Sequence, residues 1–434
     1  MHNRLIKQVS GGNAMRVNIL DHYEYAAIRD NATQAIQEAI DACHAFGNGT
    51  VIVPSGTYVI NGITLKSHVT LNLMAGATLI GSGDESQYIF RPGPFELNAN
   101  QTPISGLITA KGQHNIAIVG EGTIDGNYQK FVLPNQPKAL HLKFYKYPRP
   151  MTVYFEDCTN VILKGITIQN APFWTVHLVG CLNTEAARLT IHNEKRMPNT
   201  DGFDIDRSKN TVIHDCEIIT GDDAICPKCT EETARYGDCT GLIVTNCRIT
   251  TQSAAVKFGS SSFGNFVNCQ FSNLTIEDTN RGLAFQLRDP GSVENILFEN
   301  ITIKTKHYSK DWWGSGEPIF ISILPRDNQT DLTGQRIRNV IFKNIQCDAE
   351  NGVFIGSAAD GMITNVLFDH VEIRLRKALA AATEFDLRPW KGVAKVGAKL
   401  AGINSVHSNH YSLQNFRVTD IGGHLWNAQK EGQP

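Results

Sequence analysis

A short motif of β-branched and other apolar residues recurs through the middle of the chain. Each copy alternates apolar and polar positions with a period of two and is interrupted by Asn, Asp or Gly, which is typical of short strands joined at turns. Successive copies lie about 22 to 45 residues apart, as in a degenerate structural repeat. The copies are Asn160–Asn170, Asn210–Ile219, Gly241–Thr250, Val293–Ile303, Ile337–Ile345 and Ile363–Ile373.

A single unit of this kind cannot bury its own apolar side. Stacked as parallel strands about 4.8 Å apart, successive units enclose a column of Val, Ile, Leu and Phe behind a polar outer wall. The pattern therefore predicts an all-β fold, a parallel β-helix. A β-propeller is the alternative, but it requires four strands in each repeat and a regular spacing, and the sequence shows neither.

One segment before the repeats has helical spacing instead. From Thr33 to Phe46 the apolar residues recur three and four positions apart, and Gly47 ends the pattern. We predict a helix at 33–46 that caps the apolar end of the stack. We place an N-terminal extension at 1–20 and a single β-helix domain at 21–434, with its last strand at Tyr411–Thr419.

Composition excludes several classes of partner. The 434 residues carry a formal net charge of −2, so the chain has no electrostatic signature of a nucleic-acid or anionic-membrane binder. No stretch approaches the roughly 18 apolar residues of a membrane span, and the first residues lack the apolar core of a signal peptide. We expect a cytoplasmic protein as written, secreted or periplasmic if a signal peptide has been removed. The oligomeric state stays open.

The ten cysteines have two interpretations. Several recur beside turns in successive repeats, as small buried hydrophobic residues do. Cys226, Cys229 and Cys239 resemble part of a zinc site, but a fourth ligand at the usual spacing is missing. We therefore expect no metal and no cofactor, and local disulfides and free thiols both remain open.

The candidate chemistry is a set of aspartates about twenty residues apart. If the chain between them makes one coil, Asp201 stacks on Asp222, while Asp223 points elsewhere unless a turn redirects it, and Asp204 lies outward beside the site. Like charges this close raise one pKa into the range of a general acid, and the other carboxylates can activate a water. The alternative is that these aspartates are ordinary turn residues that bond the backbone.

The segments Asn199–Asp201 and Gly221–Asp223 resemble two signature motifs of the polygalacturonase family, glycoside hydrolase family 28. The similarity covers roughly residues 50 to 375 and includes the flanking segments Arg149–Pro150, Asn160–Val161, Ala171–His177 and Ile225–Lys228. The resemblance implies a right-handed parallel β-helix that hydrolyses pectic polysaccharides with inversion and without a metal.

By the same resemblance, Asp222 is the general acid, and Asp201 and Asp223 activate the attacking water. Inversion requires carboxyl groups about 6.5–9.5 Å apart, a gap that stacked coils can supply. The family histidine is replaced by Ala254, and the family Arg-Ile-Lys by Ala284–Gln286. We therefore predict that the catalytic groups are kept while substrate recognition has changed.

Other candidate substrate-binding residues follow from position and chemistry. Lys257 and Arg288 could bind a carboxylate from shifted positions, or be ordinary ion-paired residues of the outer wall. Trp312 and Trp313 could stack on a sugar, with one of them packing inward. The remaining candidates are Asn199, His177, Lys228 and Glu317, the last as a hydrogen-bond acceptor or reserve acid.

We therefore predict an inverting glycoside hydrolase whose partner is a pectic or other acidic polysaccharide or oligosaccharide. Long inserts at Pro92–Pro103 and Asn127–Pro150 could close one end of the groove and enforce exo action. One alternative is a lyase, which requires Ca²⁺ and a basic proton abstractor, with Lys228 as the nearest candidate. The other is a non-catalytic carbohydrate-binding β-helix.

Overall fold

The computed structural model describes residues 14–84, 88, 106–144, 149–376, 383–390, 395–398 and 400–421. The insert predicted at Pro92–Pro103 and residues 1–13 of the predicted N-terminal extension lie outside these residues. None of the described helices is long and apolar enough to cross a membrane.

Two sheets of parallel strands form the body of the described chain. The larger has 22 strands: β1 Met15–Asn18, β2 Gly49–Val53, β3 Gly56–Ile60, β5 Val69–Leu73, β6 Ala77–Gly81, β8 His114–Gly120, β9 Thr123–Asp125, β11 Thr159–Lys164, β12 Thr167–Gln169, β14 Leu182–Ala187, β15 Thr190–His192, β17 Lys209–His214, β18 Glu217–Thr220, β20 Cys239–Thr240, β21 Ile243–Thr245, β22 Arg248–Thr251, β24 Phe266–Thr279, β26 Val293–Thr305, β28 Ile337–Ala349, β30 Ile363–Leu375, β34 His410–Gln414 and β35 Arg417–Asp420.

The smaller sheet, called here the cleft sheet, has 11 strands: β4 Ile63–Thr64, β7 Gly106–Lys111, β10 Met151–Glu156, β13 Val176–Val179, β16 Phe203–Asp206, β19 Ile225–Lys228, β23 Ala254–Ser260, β25 Arg281–Leu287, β27 Glu317–Ile323, β29 Val353–Ser357 and β33 Ile403–Val406. An antiparallel pair, β31 Thr383–Asp386 and β32 Lys395–Ala398, stands apart from both sheets. The chain returns to each sheet once per coil, which confirms the predicted parallel β-helix.

The interior is a column of stacked apolar side chains, as the period-two pattern predicts. Phe271, Phe298, Phe342 and Phe368 are fully buried, with successive ring centroids 4.9, 5.1 and 5.0 Å apart. These distances match the spacing of neighbouring strands. Identical residues at equivalent positions of the repeat therefore pack on one another, and each coil buries the apolar side of the next.

Asparagines at the interruptions of the motif form ladders on the outside of the coils. Asn339 has φ 57°, a left-handed conformation that Asn tolerates better than most residues. Its side-chain amide donates to Asn295 at 3.0 Å, and its oxygen accepts from Asn365 at 2.7 Å. The recurring Asn thus both bends the chain and links adjacent coils.

We expect Asn339→Ala to lower the free energy of unfolding by about 1–2 kcal/mol, because Ala is strained at this φ and cannot make the two bonds. Asn339→Gly should cost less, since Gly adopts a positive φ freely. Urea denaturation of the two variants measures the difference. Equal losses in both would mean that the hydrogen bonds, not the backbone conformation, account for the effect.

The first coils are covered by a short helix α1, Tyr25–Ile28, and a longer one α2, Thr33–Phe46. Helix α2 has the predicted bounds, ends at Gly47 with φ 99°, and packs on β1, β2, β4 and β5. Its buried residues are Ala35, Ile36, Ala39, Ile40 and Cys43. All ten cysteines of the chain are buried and free.

Two predicted boundaries differ from the structure. Met15–Asn18 pairs with Gly49–Ile52, so residues assigned to an N-terminal extension ending at 20 already belong to the stacked strands. The last strand, predicted as Tyr411–Thr419, is two strands, because Asn415 has φ 52° and breaks the ladder between β34 and β35.

Candidate active site

The three predicted catalytic aspartates lie in the turns that lead into β16 and β19. Phe203 pairs with Ile225, so the residues two positions earlier, Asp201 and Asp223, are equivalent in the two coils. The prediction that Asp201 stacks on Asp222 is therefore wrong by one residue. The register of the strands, rather than an approximate coil length, decides which residues face each other.

All three carboxylates nevertheless converge. One oxygen from each of Asp201, Asp222 and Asp223 lies within 4.8 Å of the others. Asp201 and Asp223 are buried, at 3% and 1% exposure, whereas Asp222 is partly exposed. The hydroxyls of Thr220 and Thr251 both donate to the Asp222 carbonyl, at 2.6 and 2.5 Å. They hold the turn from which the Asp222 and Asp223 side chains both point into the cluster.

Backbone N–H groups hold the Asp222 carboxylate. One oxygen accepts from the N–H of Asn199 and the other from the N–H of Asp223, both at 3.0 Å. Asn199 has φ 58°, and its side-chain oxygen accepts from buried Arg149 at 2.8 Å. Asn199 therefore helps to position Asp222, and its contact with substrate stays a prediction.

Asp223 is held in its ionised form. Its Oδ1 accepts from the Ser253 hydroxyl at 2.7 Å and from the Ala254 N–H at 3.2 Å, and its Oδ2 forms an ion pair with Lys257. Burial by itself would raise the Asp223 pKa, but the positive charges of Lys257 and Lys228 outweigh it and lower the pKa. Lys257 in turn has a raised pKa, because the attraction of Asp223 exceeds the effect of burial.

Asp201 has the opposite character. Burial, together with the negative charges of Asp204 and Asp222, raises its pKa well above the ordinary value. The Lys228 ammonium lies 3.7 Å from Asp201 and 3.1 Å from Asp204, and 4.8 Å from the centre of the Trp174 ring. Asp204 was predicted to lie outward beside the site, and it does so on β16. The cluster thus combines a carboxyl whose pKa is lowered, that of Asp223, with one whose pKa is raised, that of Asp201.

Two sets of side chains have the spacing of metal ligands, Asp201, Asp222 and Asp223 in one and Asp201, Asp204 and Cys226 in the other. Lys257 is paired with a member of the first set. Lys228 faces the second set, 3.1 Å from Asp204 and 3.2 Å from the Cys226 sulfur. Both sets therefore already face an ammonium group, which supplies the positive charge that buried carboxylates require.

Residues 43–373 match the model of glycosyl hydrolases family 28. The chain belongs to this family. The chain is therefore a glycoside hydrolase, and neither the lyase nor the non-catalytic alternative is supported.

Relatives and solved structures agree with this family. The chain is 28% identical over 401 residues to a "Probable polygalacturonase" of Vitis vinifera, covering 81% of this chain and 79% of that protein. It is 29% identical over 255 residues to an exo-poly-alpha-D-galacturonosidase of Dickeya chrysanthemi, covering 48% of this chain and 41% of that enzyme. A solved exopolygalacturonase from Thermotoga maritima has a TM-score of 0.73 at 21% identity, covering 93% and 91% of the two chains, and so shares the fold.

In this family 28 hydrolase, His177 is fully buried. One ring nitrogen lies 3.8 Å from Asp206, and the other lies 3.3 Å from the Met151 sulfur. The structure therefore does not bring His177 to the surface where a substrate would bind. It is a packing residue beneath Trp174, whose ring centre lies 4.8 Å away.

Arg288 and Glu317 were predicted to contact substrate, but both are fully buried. Arg288 donates to the carbonyls of Leu387 and Pro389 at 2.9 and 2.7 Å, and Glu317 pairs with Arg281 at 3.2 Å. Burial, and then the neighbouring Arg281 and a second arginine, lower the Arg288 pKa to about 9. Segment 386–389 bonds Arg288 directly and bonds Arg281, the partner of Glu317, through the Asp386 carbonyl, which the repeat pattern alone does not reveal.

The two tryptophans have different environments. Trp312 is 3% exposed, and its indole N–H donates to the Leu140 carbonyl at 3.1 Å. Trp313 is partly exposed, and the Lys257 ammonium lies 5.8 Å from its ring centre. Of the pair, Trp313 is the one that offers a face to a sugar beside the aspartates.

The replaced family positions are occupied by apolar packing. Ala254 and Ala284 join a buried cluster on the outer face of the cleft sheet, together with Phe320, Phe354, Phe385, Leu324 and Leu387. Small side chains at these two positions make room for segment 383–390. The sequence identified the missing histidine and arginine, but it gave no signal that this distant segment lies over their positions.

Proposed function

We propose that this enzyme hydrolyses pectic galacturonides. The observation that carries the proposal is the convergence of Asp201, Asp222 and Asp223 within 4.8 Å in a family 28 chain. Asp222, the partly exposed member, protonates the leaving oxygen. Asp223, held ionised by Lys257, takes the proton of the attacking water, and its coil neighbour Asp201 helps to orient that water.

The proposed inversion rests on the resemblance to the family. The oxygens that converge within 4.8 Å are closer than the separation of about 6.5–9.5 Å between carboxyl groups that inversion generally requires. The three aspartates therefore do not show the wider carboxyl separation that was expected from stacked coils. Proton NMR of the first product decides the question, since inversion of an α-galacturonide releases the β-anomer before mutarotation.

Exo action is supported by a contact across the cleft sheet. The loops that precede β10 and β27 meet where Leu140 accepts from Trp312 and where the His141 ring lies 4.7 Å from the Trp312 ring. Five strands separate β10 from β27, roughly 29 Å at ordinary strand spacing, and among them are β16 and β19, which follow the aspartates.

The contact of Trp312 with Leu140 and His141, called here the bridge, also lies close to the proposed general acid. His141 is half-buried; burial lowers its pKa, opposed by the negative charges of Asp222 and Asp311. A bridge at this place would stop a long polymer from passing through the groove. The enzyme would then bind chain ends and release short products.

We expect Trp312→Ala to separate the two loops and to shift the products from short sugars at chain ends toward mixed internal fragments. Chromatography of early digests of polygalacturonate measures this change, together with the fall in viscosity for each bond cleaved. Trp312→Phe is the matched control, because it keeps an aromatic ring at this buried position and removes only the donor to Leu140. Unchanged products from Trp312→Ala would contradict exo enforcement by this bridge.

The experiment that tests the proposed function is hydrolysis of galacturonide and rhamnogalacturonide oligosaccharides in the presence of EDTA. Reducing ends and ultraviolet absorbance are followed together. We expect release of reducing sugar from galacturonides without a rise in absorbance. Absorbing, unsaturated products would indicate elimination, and hydrolysis of rhamnogalacturonides alone would move the substrate to another pectic class.

A cytoplasmic location, where the enzyme would trim imported oligosaccharides, stays a prediction. The ten buried cysteines support it, since all are free and disulfides are rare in reducing compartments. Fractionation of the source cells, with an antibody against the protein, tests it.

A further inference from the structure

Segment 386–389 is fixed to the cleft sheet through its backbone. Side chains of β25 and of Arg288, the residue after it, donate to four consecutive carbonyls: Arg281 to Asp386 at 3.0 Å, Arg288 to Leu387 at 2.9 Å and to Pro389 at 2.7 Å, and Gln286 to Arg388. Buried donors of this kind hold a backbone rigidly, because each unpaired donor would cost free energy.

The side chain of Arg388 is presented from this rigid segment. Its guanidinium nitrogens Nε and Nη2 bond Asp386 at 3.0 and 2.6 Å, and Nη2 also donates to the carbonyls of Lys310 and Trp312 at 3.0 and 3.2 Å. The remaining nitrogen, Nη1, has no hydrogen-bond partner in the part of the chain that the structure describes. The side chain is 28% exposed.

Arg388 and the aspartate cluster both lie near Trp313. The Arg388 guanidinium carbon is 5.9 Å from the centre of the Trp313 ring, and the Lys257 ammonium, paired with Asp223, is 5.8 Å from the same centre. A sugar stacked on Trp313 would therefore lie near both the Arg388 guanidinium and the Asp223–Lys257 pair.

The local charge favours an anionic ligand. Three guanidinium groups, those of Arg281, Arg288 and Arg388, face two carboxylates, those of Glu317 and Asp386, while Arg326 beside Arg288 is balanced by its own pair with Asp289. The network therefore holds one positive charge in excess. Of the three guanidinium groups, that of Arg388 alone reaches solvent, since Arg281 and Arg288 are 1% and 0% exposed.

We propose that Arg388 determines specificity by binding the carboxylate of the sugar that stacks on Trp313. The Nη1 group donates to a carboxylate oxygen in a charge-assisted bond, with an orientation that Asp386 fixes in advance. This inference rests on the proposed function and adds to it a recognition group outside the repeats. Uronates are its ligand class, and esterified or neutral sugars are discriminated against.

The test compares trigalacturonate with its fully methyl-esterified form. We expect Arg388→Gln to lower kcat/KM for trigalacturonate by about 10- to 100-fold, mainly through KM, and to leave kcat/KM for the ester unchanged. Arg388→Lys should fall between the two, because it keeps the charge and loses the planar fork. Equal effects on both substrates, or none, would overturn the inference, since a disturbed fold lowers both rates.

Arg326→Gln is the matched control. Arg326 also forms a two-point contact with a carboxylate, that of Asp289 at 2.7 Å, and also donates to a backbone carbonyl, that of Ser260 at 2.9 Å. Its side chain is 32% exposed. We expect Arg326→Gln to leave the preference between the two substrates unchanged. A shift of that preference in Arg326→Gln as large as in Arg388→Gln would overturn a specific role for Arg388.

Calorimetric binding of trigalacturonate separates failure of this inference from failure of the proposed function. If the unmodified enzyme bound trigalacturonate without cleaving it, and Arg388→Gln lost that binding, the inference would stand and galacturonide hydrolysis would be rejected. If the enzyme cleaved trigalacturonate and Arg388→Gln kept the preference for it over the ester, the proposed function would stand and the inference would be rejected. Absence of both binding and cleavage would reject both.

Discussion

Replacing Asp222 with asparagine should lower kcat on galacturonides by about 10²- to 10⁴-fold, the range for loss of a positioned proton donor. The amide is the same size, and its one oxygen can still accept from one of the two N–H groups that hold the carboxylate, those of Asn199 and Asp223. The threonine hydroxyls that bond the backbone carbonyl of residue 222 are unaffected, so the turn should persist. It cannot protonate the leaving oxygen. KM should change little, because the donor acts mainly in the transition state.

The matched control for Asp222→Asn is Asp215→Asn. Asp215 has φ 56° on the outer wall, where its carboxylate bonds His214 and Asn246, and Asn favours this backbone conformation as well. Initial rates and thermal unfolding of both variants complete the comparison. If Asp222→Asn kept more than a tenth of the activity while Asp215→Asn was unaffected, the proton donor would have to be sought in Asp201, whose pKa is raised.

Replacing Lys257 with methionine should lower the free energy of unfolding at pH 7 by about 3–5 kcal/mol, because it leaves the Asp223 carboxylate buried without its ion-pair partner. Asp223 is 1% exposed, so water cannot replace the ammonium. Activity should fall as well, since an Asp223 that takes up a proton cannot activate water. Urea denaturation and initial rates on the same preparation measure the two effects.

The pH dependence of this loss has a defined sign. The folded-state pKa of Asp223 is lowered, so the pair with Lys257 stabilises the protein fully above the ordinary aspartate pKa of about 3.9 and is lost as pH falls through the lowered value. The difference between Lys257→Met and the unmodified enzyme should therefore be largest near neutrality and shrink on acidification. A difference that grew as pH fell would contradict the ion pair.

Two further variants isolate the cause. Adding Asp223→Asn to Lys257→Met should restore much of the stability and none of the activity, because the unpaired charge is gone but so is the base. Lys343→Met removes an ammonium that bonds Glu299 at 2.7 Å on the surface, with half of the Lys343 side chain exposed. Exposed pairs contribute little to stability, so this control should unfold as the unmodified enzyme does.

The converging aspartates could be found from the sequence because their spacing is close to one coil of the repeat. Asp201 and the pair Asp222–Asp223 must return to one place if the chain coils once between them. Which partner Asp201 faces could not be found in this way, since an approximate coil length does not separate two neighbouring residues, while a slip of one residue turns every side chain of a strand to its other face. The register Phe203 to Ile225 settles it in favour of Asp223.

Recognition residues were predicted less well for a physical reason. His177 and Glu317 lie on strands of the cleft sheet and Arg288 directly follows one, where a repeat pattern predicts exposure, yet all three are fully buried. Their partners lie at least 26 residues away in the chain: Met151 for His177, Leu387 and Pro389 for Arg288, and Arg281 for Glu317. Arg388 went unnoticed for the same reason, since its environment is made by Lys310, Trp312 and Asp386.

The sequence by itself determined the parallel β-helix, the cap helix at Thr33–Phe46 and the aspartates that converge. These depend on short-range periodicity and on identical residues that stack from coil to coil. The tertiary structure alone decided the burial of Trp312, the pairing of Lys257 with Asp223 and the place of Arg388 beside Trp313. Such contacts join loops of irregular length, and where a loop comes to lie depends on packing across the whole solenoid rather than on local pattern.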